Sequence, residues 1–400
     1  MNDSALKLSA GYRRLAVVSA VGGLFSYALI CTIFAAAVNQ ISPICGDSDT
    51  LIGWLFRVSM IGFIVAVLLG GRYSDKIGKL PVLLVGCVLM SIGSLGFARV
   101  TTYPAAVIMS IVMGAGGGFA EAIAMGIIAD VTSAHKRTSI MNYAQVFFAI
   151  GAVAGPVLVT WLIAVDIDYW RWAFIITALA CVVAAVAVAS ALSKREERPV
   201  GETHHGEWKS LLNDRAVLTL SLGVLLYVAA ESGQSSWLAR YFKDDLAASA
   251  PMAAATVALF WTGIGAGRYF AVWTARFMSD YAIVCLAHAL AIIFQVTLLI
   301  THSSAVAMVS VVMLGFALGP GWPTIVSRAS ALHPRQSGSV LAVVVSAGAV
   351  GAAIFPPAIG QAADHIGMRS ALWTSVALLF GNLLIFIPLL IKNRSQSQAP

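Results

Sequence analysis

Twelve continuous apolar stretches, each long enough to cross a lipid bilayer, constrain this chain more than any other feature of its sequence. One helical crossing needs about 20 apolar residues. The stretches lie near 17–38, 51–70, 80–98, 104–129, 140–164, 173–192, 217–239, 252–273, 281–300, 304–327, 338–362 and 370–391. Only 11% of the residues are charged, against about 25% in soluble domains. No segment shows the alternating polarity of barrel strands. We therefore predict an all-α integral membrane protein with twelve transmembrane helices, which excludes a soluble enzyme and a nucleic-acid binder.

The basic residues are distributed unevenly between the loops. If the N-terminus is cytoplasmic, the inner segments hold 18 of the 25 Lys and Arg residues, and the outer loops hold five. Cytoplasmic loops carry such an excess of Lys and Arg. No small-residue cleavage site follows the first apolar stretch, so we expect it to stay as a helix. We predict a multi-pass protein of a bacterial inner membrane with both termini in the cytoplasm.

The two halves of the chain repeat each other at an offset of 198 residues. The matched pairs are His135 with His333, Arg137 with Arg335, Asp166 with Asp364, and Arg171 with Arg369. An offset of one half keeps matched helices in the same direction, as in transporters with parallel repeats. We predict an N-terminal six-helix half at 1–192, a charged cytoplasmic linker at 193–215 and a C-terminal six-helix half at 216–400.

The loop after the second stretch carries the sharpest local motif, which reads G-x-x-x-D-K-x-G-K from Gly71 to Lys79. We expect Gly71 and Gly78 to allow tight turns. The motif resembles the signature loop of the major facilitator superfamily, and a degenerate copy runs from Arg276 to Asp280. The resemblance implies the major facilitator fold, a cavity lined by spans one, four, seven and ten, and alternating access. It also implies a gating cluster of Gly71, Asp75, Lys76, Gly78, Lys79, Asp130 and Arg137.

Ionisable residues deep in a span are costly and are therefore candidates for function. Glu121 lies in span four and Glu231 in span seven, so each half contributes one acid. We predict that both carboxyl groups take part in proton coupling. The alternative for Glu121 is a structural ion pair, for example with Arg57. We also consider buried ion pairing for Arg268, in span eight.

Polar side chains surround Glu231 at helical spacing. Tyr227, Gln234 and Ser235 lie three or four residues away from it. Span ten is interrupted by Gly-Pro-Gly-Trp-Pro at 319–323, and a broken helix is tolerated where it lines a cavity. We predict a substrate site made of Tyr27, Glu121, Tyr227, Glu231, Gln234, Trp237 and Trp322. The alternative is a hydrogen-bonded network that closes the outer end of span seven.

A narrower resemblance involves the same residues. The stretch YVAAESGQSSWLARYF at 227–242 resembles the span-seven signature of the fucose–galactose–proton symporter family, and Glu121 is similar to the span-four acid of that family. Span one carries no acid, and Met125 lies near the place of an asparagine of that family. The resemblance implies uptake of a sugar-like solute coupled to protons, with sodium as the other candidate ion.

Two other functions stay open at this stage. Gly151-x-x-x-Gly155-Pro156 resembles part of the motif of drug–proton antiporters, which export lipophilic compounds. A non-transporting membrane sensor in a transporter fold is the third. An enzyme is not expected, because the sequence shows no nucleophile–base set, metal-ligand spacing or phosphate loop. We expect no cofactor and no metal, and a monomer whose partners are a small-molecule substrate, a proton or sodium ion, and the lipid bilayer.

Overall fold

A computed structural model describes residues 9–131, 134–194, 211, 213–333 and 337–397, and the described side chains exclude those at 75, 129, 134–143, 337–339, 342 and 394–397. The long helices are α1 (Ala10–Ala36), α2 (Asp49–Ile77), α3 (Lys79–Phe97), α4 (Tyr103–Val131), α5 (Ala134–Val165), α6 (Trp170–Ser193), α7 (Arg215–Asp244), α8 (Ala250–Thr274), α9 (Asp280–Ile300), α10 (Ser304–Leu318), α11 (Gly321–Leu332), α12 (Ser337–Ile366) and α13 (Trp373–Ser397). These described residues contain no β-strand.

Twelve segments of the described chain are long and apolar enough to cross a membrane. The predicted all-α membrane architecture is confirmed. Local chemistry explains where five of the helices begin. In each of them, the side chain of a Ser or Asp before the helix accepts a hydrogen bond from an amide of the first turn. These capping residues are Ser9, Asp214, Ser249, Ser279 and Ser303.

The chain divides into two compact units. The first comprises Met1–Asp47 and Trp54–Glu202, and the second comprises Ser48–Gly53 and Thr203–Pro400. The second unit therefore includes the first turn of α2. The proposed linker at 193–215 lies largely outside the described residues, so its boundaries stay a prediction.

Two repeat-related arginines have similar roles in their own units. Arg171 Nη1 donates to the carbonyl oxygens of Ala98 and Val100, both at 2.9 Å. Arg369 Nη1 donates to Leu299 O at 3.3 Å. Each arginine thus satisfies carbonyl groups at the end of the third long helix of its unit, which otherwise lack partners.

Glycines allow neighbouring helices to approach closely. A methyl group at Gly114 or Gly118 of α4 would collide with backbone carbonyls of α2, and one at Gly263 or Gly267 of α8 would collide with carbonyls of α10. Small residues have this role in membrane helix pairs, where van der Waals packing drives association. The glycine-rich sequence before Glu121 is therefore a helix-packing surface.

The signature loop is shorter than predicted. Gly71 lies inside α2, which continues to Ile77, so the expected turn at Gly71 is wrong. In a membrane helix the backbone keeps its internal hydrogen bonds even at residues of low helix propensity. Gly78 makes the turn alone, with φ of 91°, in a region that favours glycine.

Candidate functional site

Glu121 of α4 lies in a mainly apolar environment within the first unit. The Tyr27 ring of α1 lies directly against Gly117, where a Cβ atom would overlap it. Tyr27 also stacks on Phe63, with ring centroids 5.4 Å apart. Tyr27 and Cys31 are close enough to Glu121 to interact with it electrostatically. Neither Tyr27 nor Cys31 carries a positive charge that would stabilise a carboxylate at Glu121.

Among the residues that the structure describes, no basic side chain forms an ion pair with Glu121. Its Oε2 atom is buried, and within the described part of the chain no hydrogen bond reaches it. The Arg57 guanidinium instead lies over the Trp54 ring, 4.5 Å from its centroid. A buried polar atom without a partner is unusual in folded proteins and needs an explanation.

Glu231 of α7 lies in a hydrogen-bonded group in the second unit. The Tyr227 hydroxyl is 2.9 Å from Glu231 Oε1 and 3.1 Å from the carbonyl oxygen of Leu318. The Tyr227 ring also lies directly against Gly321, where a Cβ atom would overlap it. Leu318 ends α10 and Gly321 begins α11, so this group lies at the predicted break of the tenth segment. The break is confirmed.

Arg268 of α8 is the nearby positive charge. It interacts electrostatically with both Glu231 and Tyr227. Its Nε atom is buried and, among the described residues, has no hydrogen-bond partner. Arg268 thus adds a positive charge near Glu231, although the described residues show no ion pair within 4.0 Å between the two side chains.

The other polar residues of α7 are directed to different neighbours. Gln234 accepts a hydrogen bond from Gln295 Nε2 of α9 at 2.8 Å. The Trp237 indole is fully buried and donates to Pro356 O of α12 at 2.8 Å. Ser235 bonds locally to the carbonyl of Ser232. Gln234 and Trp237 therefore join helices, whereas Trp322, which is half-buried, lies next to Tyr227.

The proposed gating residues are only partly described. Lys79 Nζ, at the start of α3, is 2.8 Å from Asp130 Oδ2 and 3.2 Å from Gly126 O, near the end of α4. Lys76 is exposed in the last turn of α2. The side chains of Asp75 and Arg137 lie outside the described set. The pairing of Asp130 with Arg137 stays a prediction, and Lys79 is a described partner of Asp130.

Sequence reasoning missed a second charged group, within the second unit. Asp364, near the end of α12, accepts hydrogen bonds from the amides of Asp49 and Thr50 and from the Ser48 hydroxyl, at 2.8 to 2.9 Å. Arg240 Nε is 3.0 Å from Asp49 Oδ1. The repeat singled out Asp364, but one sequence gives no signal for contacts over 300 residues apart.

Comparison with known proteins decides the family. The sequence profile of the Major Facilitator Superfamily matches residues 20–276 and 220–400. The chain belongs to the Major Facilitator Superfamily. A protein TsgA homolog of Edwardsiella ictaluri is 22% identical and covers 86% of this chain and 85% of that protein. A glucose/galactose transporter of Brucella abortus is 25% identical over 77% of this chain and 78% of that protein.

Solved structures of Major Facilitator Superfamily proteins share the fold. A bacterial homolog of the human lysosomal transporter Spinster superimposes with a TM-score of 0.79 at 14% identity, covering 95% of this chain and 97% of that chain. A D-xylose-proton symporter superimposes with a TM-score of 0.76 at 18% identity, covering 94% and 97%. At such low identity these likenesses show the fold alone. This protein is thus a multi-pass membrane transporter of the superfamily.

Proposed function

We propose that this protein is a proton-coupled symporter of a small polar solute such as a sugar, working by alternating access. The observation that carries the proposal is the buried Oε2 of Glu121, which has no hydrogen-bond partner among the described residues. A carboxylate in this environment is costly, whereas a protonated carboxyl group is not. Glu121 can therefore take up a proton on one side of the membrane and release it on the other. Glu231 is the acid that the second unit contributes, and sodium is the alternative coupling ion.

The solute class is supported by the extent to which two relatives match this chain. The glucose/galactose transporter of Brucella abortus covers 77% of this chain, whereas the multidrug resistance protein MdtL of Klebsiella pneumoniae covers 48%. Tyr27, Tyr227, Glu231 and Trp322 offer hydrogen-bonding groups and aromatic surface, a combination that suits a hydroxyl-rich ring. We keep Gln234 and Trp237 as supporting residues of that site.

A drug–proton antiporter is the second candidate, favoured by the aromatic rings near Glu121. Tyr27 lies 5.4 Å from Phe63 and 6.1 Å from Phe148, between ring centroids, and such surfaces bind lipophilic cations. The antiporter-like motif is weaker support for this candidate. Methyl groups at Gly151 and Gly155 would collide with α1, so close helix packing already explains both glycines. Those glycines thus have a packing role.

Uptake into proteoliposomes tests the proposal. With an imposed inward proton gradient, purified protein is assayed with radiolabelled glucose, galactose, xylose and a lipophilic cation, tetraphenylphosphonium. We expect one sugar to accumulate and the accumulation to collapse with a protonophore. Glu121→Gln should abolish accumulation but keep exchange of labelled for unlabelled sugar, because a neutral amide imitates the loaded state without titrating.

Asp168→Asn is the matched control, since Asp168 is an exposed acid of the same unit. It should accumulate sugar like the unchanged protein. Accumulation by Glu121→Gln against a gradient would contradict the coupling role. Proton-driven expulsion of the cation, with no sugar uptake, would favour the antiporter.

The proposal has two further parts. One is that the protein is a monomer, and the other is a gating role for the residues Gly71, Asp75, Lys76, Gly78, Lys79, Asp130 and Arg137.

A further inference from the structure

The Tyr227 hydroxyl donates to a carbonyl that would accept a backbone hydrogen bond if the tenth membrane segment were one continuous helix. In an unbroken helix the Trp322 amide would donate to the Leu318 carbonyl, four residues earlier. No such bond is present in the described backbone. Pro320 and Pro323, which lack an amide hydrogen, prevent a regular helix here. Tyr227 instead contacts both sides of the break, because its hydroxyl lies 3.1 Å from Leu318 O of α10 and its ring lies against Gly321 of α11.

The hydroxyl has one hydrogen for two acceptors. Leu318 O and, when ionised, Glu231 Oε1 both compete for it, at 3.1 and 2.9 Å. Hydrogen bonds to a charged carboxylate are about twice as strong as neutral ones. An ionised Glu231 therefore takes the hydrogen, and Leu318 O loses its donor. A protonated Glu231 donates to Tyr227 Oη, and the tyrosine hydrogen returns to Leu318 O.

We propose that Tyr227 is a positioning residue that couples the protonation of Glu231 to the break in the tenth membrane segment. With Glu231 neutral, the hydroxyl bridges α10 and α11. With Glu231 ionised, the bridge opens and Leu318 O becomes an acceptor for a hydroxyl group of the solute. The inference rests on the proposed function, because it gives one of the two proposed proton sites a structural consequence.

Other groups near Tyr227 lie on α8, α9 and α12, whereas the proposal assigns the pH dependence to Glu231. Arg268 of α8 is the charged group that interacts with Glu231. His288 of α9 has its ring centroid 6.0 Å from that of Tyr227, but both ring nitrogens are occupied, by Val284 O at 2.7 Å and by Asn382 of α13 at 3.0 Å. On α12, Gly348, which carries no side chain, lies against Trp322.

Hydrogen–deuterium exchange of the intact protein, without solute, tests the switch. After correction for intrinsic rates, we expect the amides of 319–325 to exchange several-fold faster at high than at low pH. Glu231→Gln should keep these amides protected at all pH values, since its amide group donates to Tyr227 as the neutral acid does. Tyr227→Phe should leave them fast at all pH values.

Tyr241→Phe is the matched control. Tyr241 is also a fully buried tyrosine of α7 whose hydroxyl donates to a carbonyl, Leu298 O at 2.8 Å. This variant should retain the pH-dependent exchange at 319–325. Retention of that pH dependence in Tyr227→Phe or in Glu231→Gln, or its absence from the unchanged protein, would overturn the inference. If the unchanged protein showed no proton-driven sugar uptake but kept the pH-dependent exchange at 319–325, the proposed function would be wrong and the coupling between Glu231 and the break would still hold.

Discussion

Asp364 and Asp166 occupy equivalent positions in the repeat but make different hydrogen bonds. Asp364 accepts from two backbone amides and one hydroxyl at the first turn of α2. Asp166 accepts from the amide of Asp168 in its own turn. A carboxylate at a helix N-terminus satisfies free amides and interacts favourably with the helix dipole. These hydrogen bonds of Asp364 explain why Ser48–Gly53 belongs to the second unit.

Replacement of these two acids should have unequal effects on stability. Asp364→Ala leaves three donors without an acceptor, and we expect it to cost about 1–3 kcal/mol of unfolding free energy. Asp166→Ala removes one local hydrogen bond and should cost less than about 1 kcal/mol. Thermal unfolding of both purified variants in one detergent gives the comparison. Equal losses in the two variants would show that the contact with Ser48–Gly53 adds no stability.

At the residue scale, local spacing was enough to select candidate residues. Glu121, Tyr227 and Glu231 stand out because polar residues are rare in spans. The carbonyl of Leu318 was missed, although two nearby prolines indicate that some carbonyls lose their donors there. The contact of Lys79 with Asp130 was not predicted, because pairing between helices depends on their packing.

At the level of elements, the start of α7 combines two interactions on one side chain. Asp214 accepts from the amides of Ala216 and Val217 and is 2.7 Å from His333 Nε2, at the end of α11. The hydrogen bond to His333, followed by the amide bonds, lowers the pKa of Asp214 below its ordinary value of 3.8. The ionised form is thus favoured in the folded state.

The sign of the pH effect follows from the lowered pKa. A carboxyl group whose pKa is lower in the folded state adds stability above its ordinary pKa, and this stability is lost as the pH falls through the lowered value. Asp214→Ala should cost about 0.5–2 kcal/mol near neutral pH, the usual effect of losing such a cap. Melting temperatures between pH 7 and pH 3 should show the gap to the unchanged protein narrowing below pH 3.8.

Asp214→Asn provides the control, because asparagine also caps helices but does not titrate. Its melting temperature should stay near that of the unchanged protein at neutral pH. If the gap between Asp214→Ala and the unchanged protein were the same at pH 3 and pH 7, ionisation of Asp214 would have no part in capping α7.

For the whole molecule, hydropathy was enough to predict the fold class. A chain in lipid must satisfy its backbone polar groups internally, so long apolar segments have to be helices. Matched residues at one offset then indicated two halves. The assignment of Ser48–Gly53 to the second unit was not predictable, because it depends on tertiary contacts of Asp364 and Arg240 rather than on composition.

The distribution of basic residues predicts the orientation of the whole chain, and reporter fusions test this prediction. Lys and Arg near the ends of spans are retained on the cytoplasmic side, and Arg72, Lys76 and Lys79 flank one short turn. Alkaline phosphatase, which is active only outside the cytoplasm, should be active when fused after Asp47. It should be inactive when fused after Gly78 or Pro400. The opposite pattern would place both termini outside and reverse the side from which protons reach Glu121.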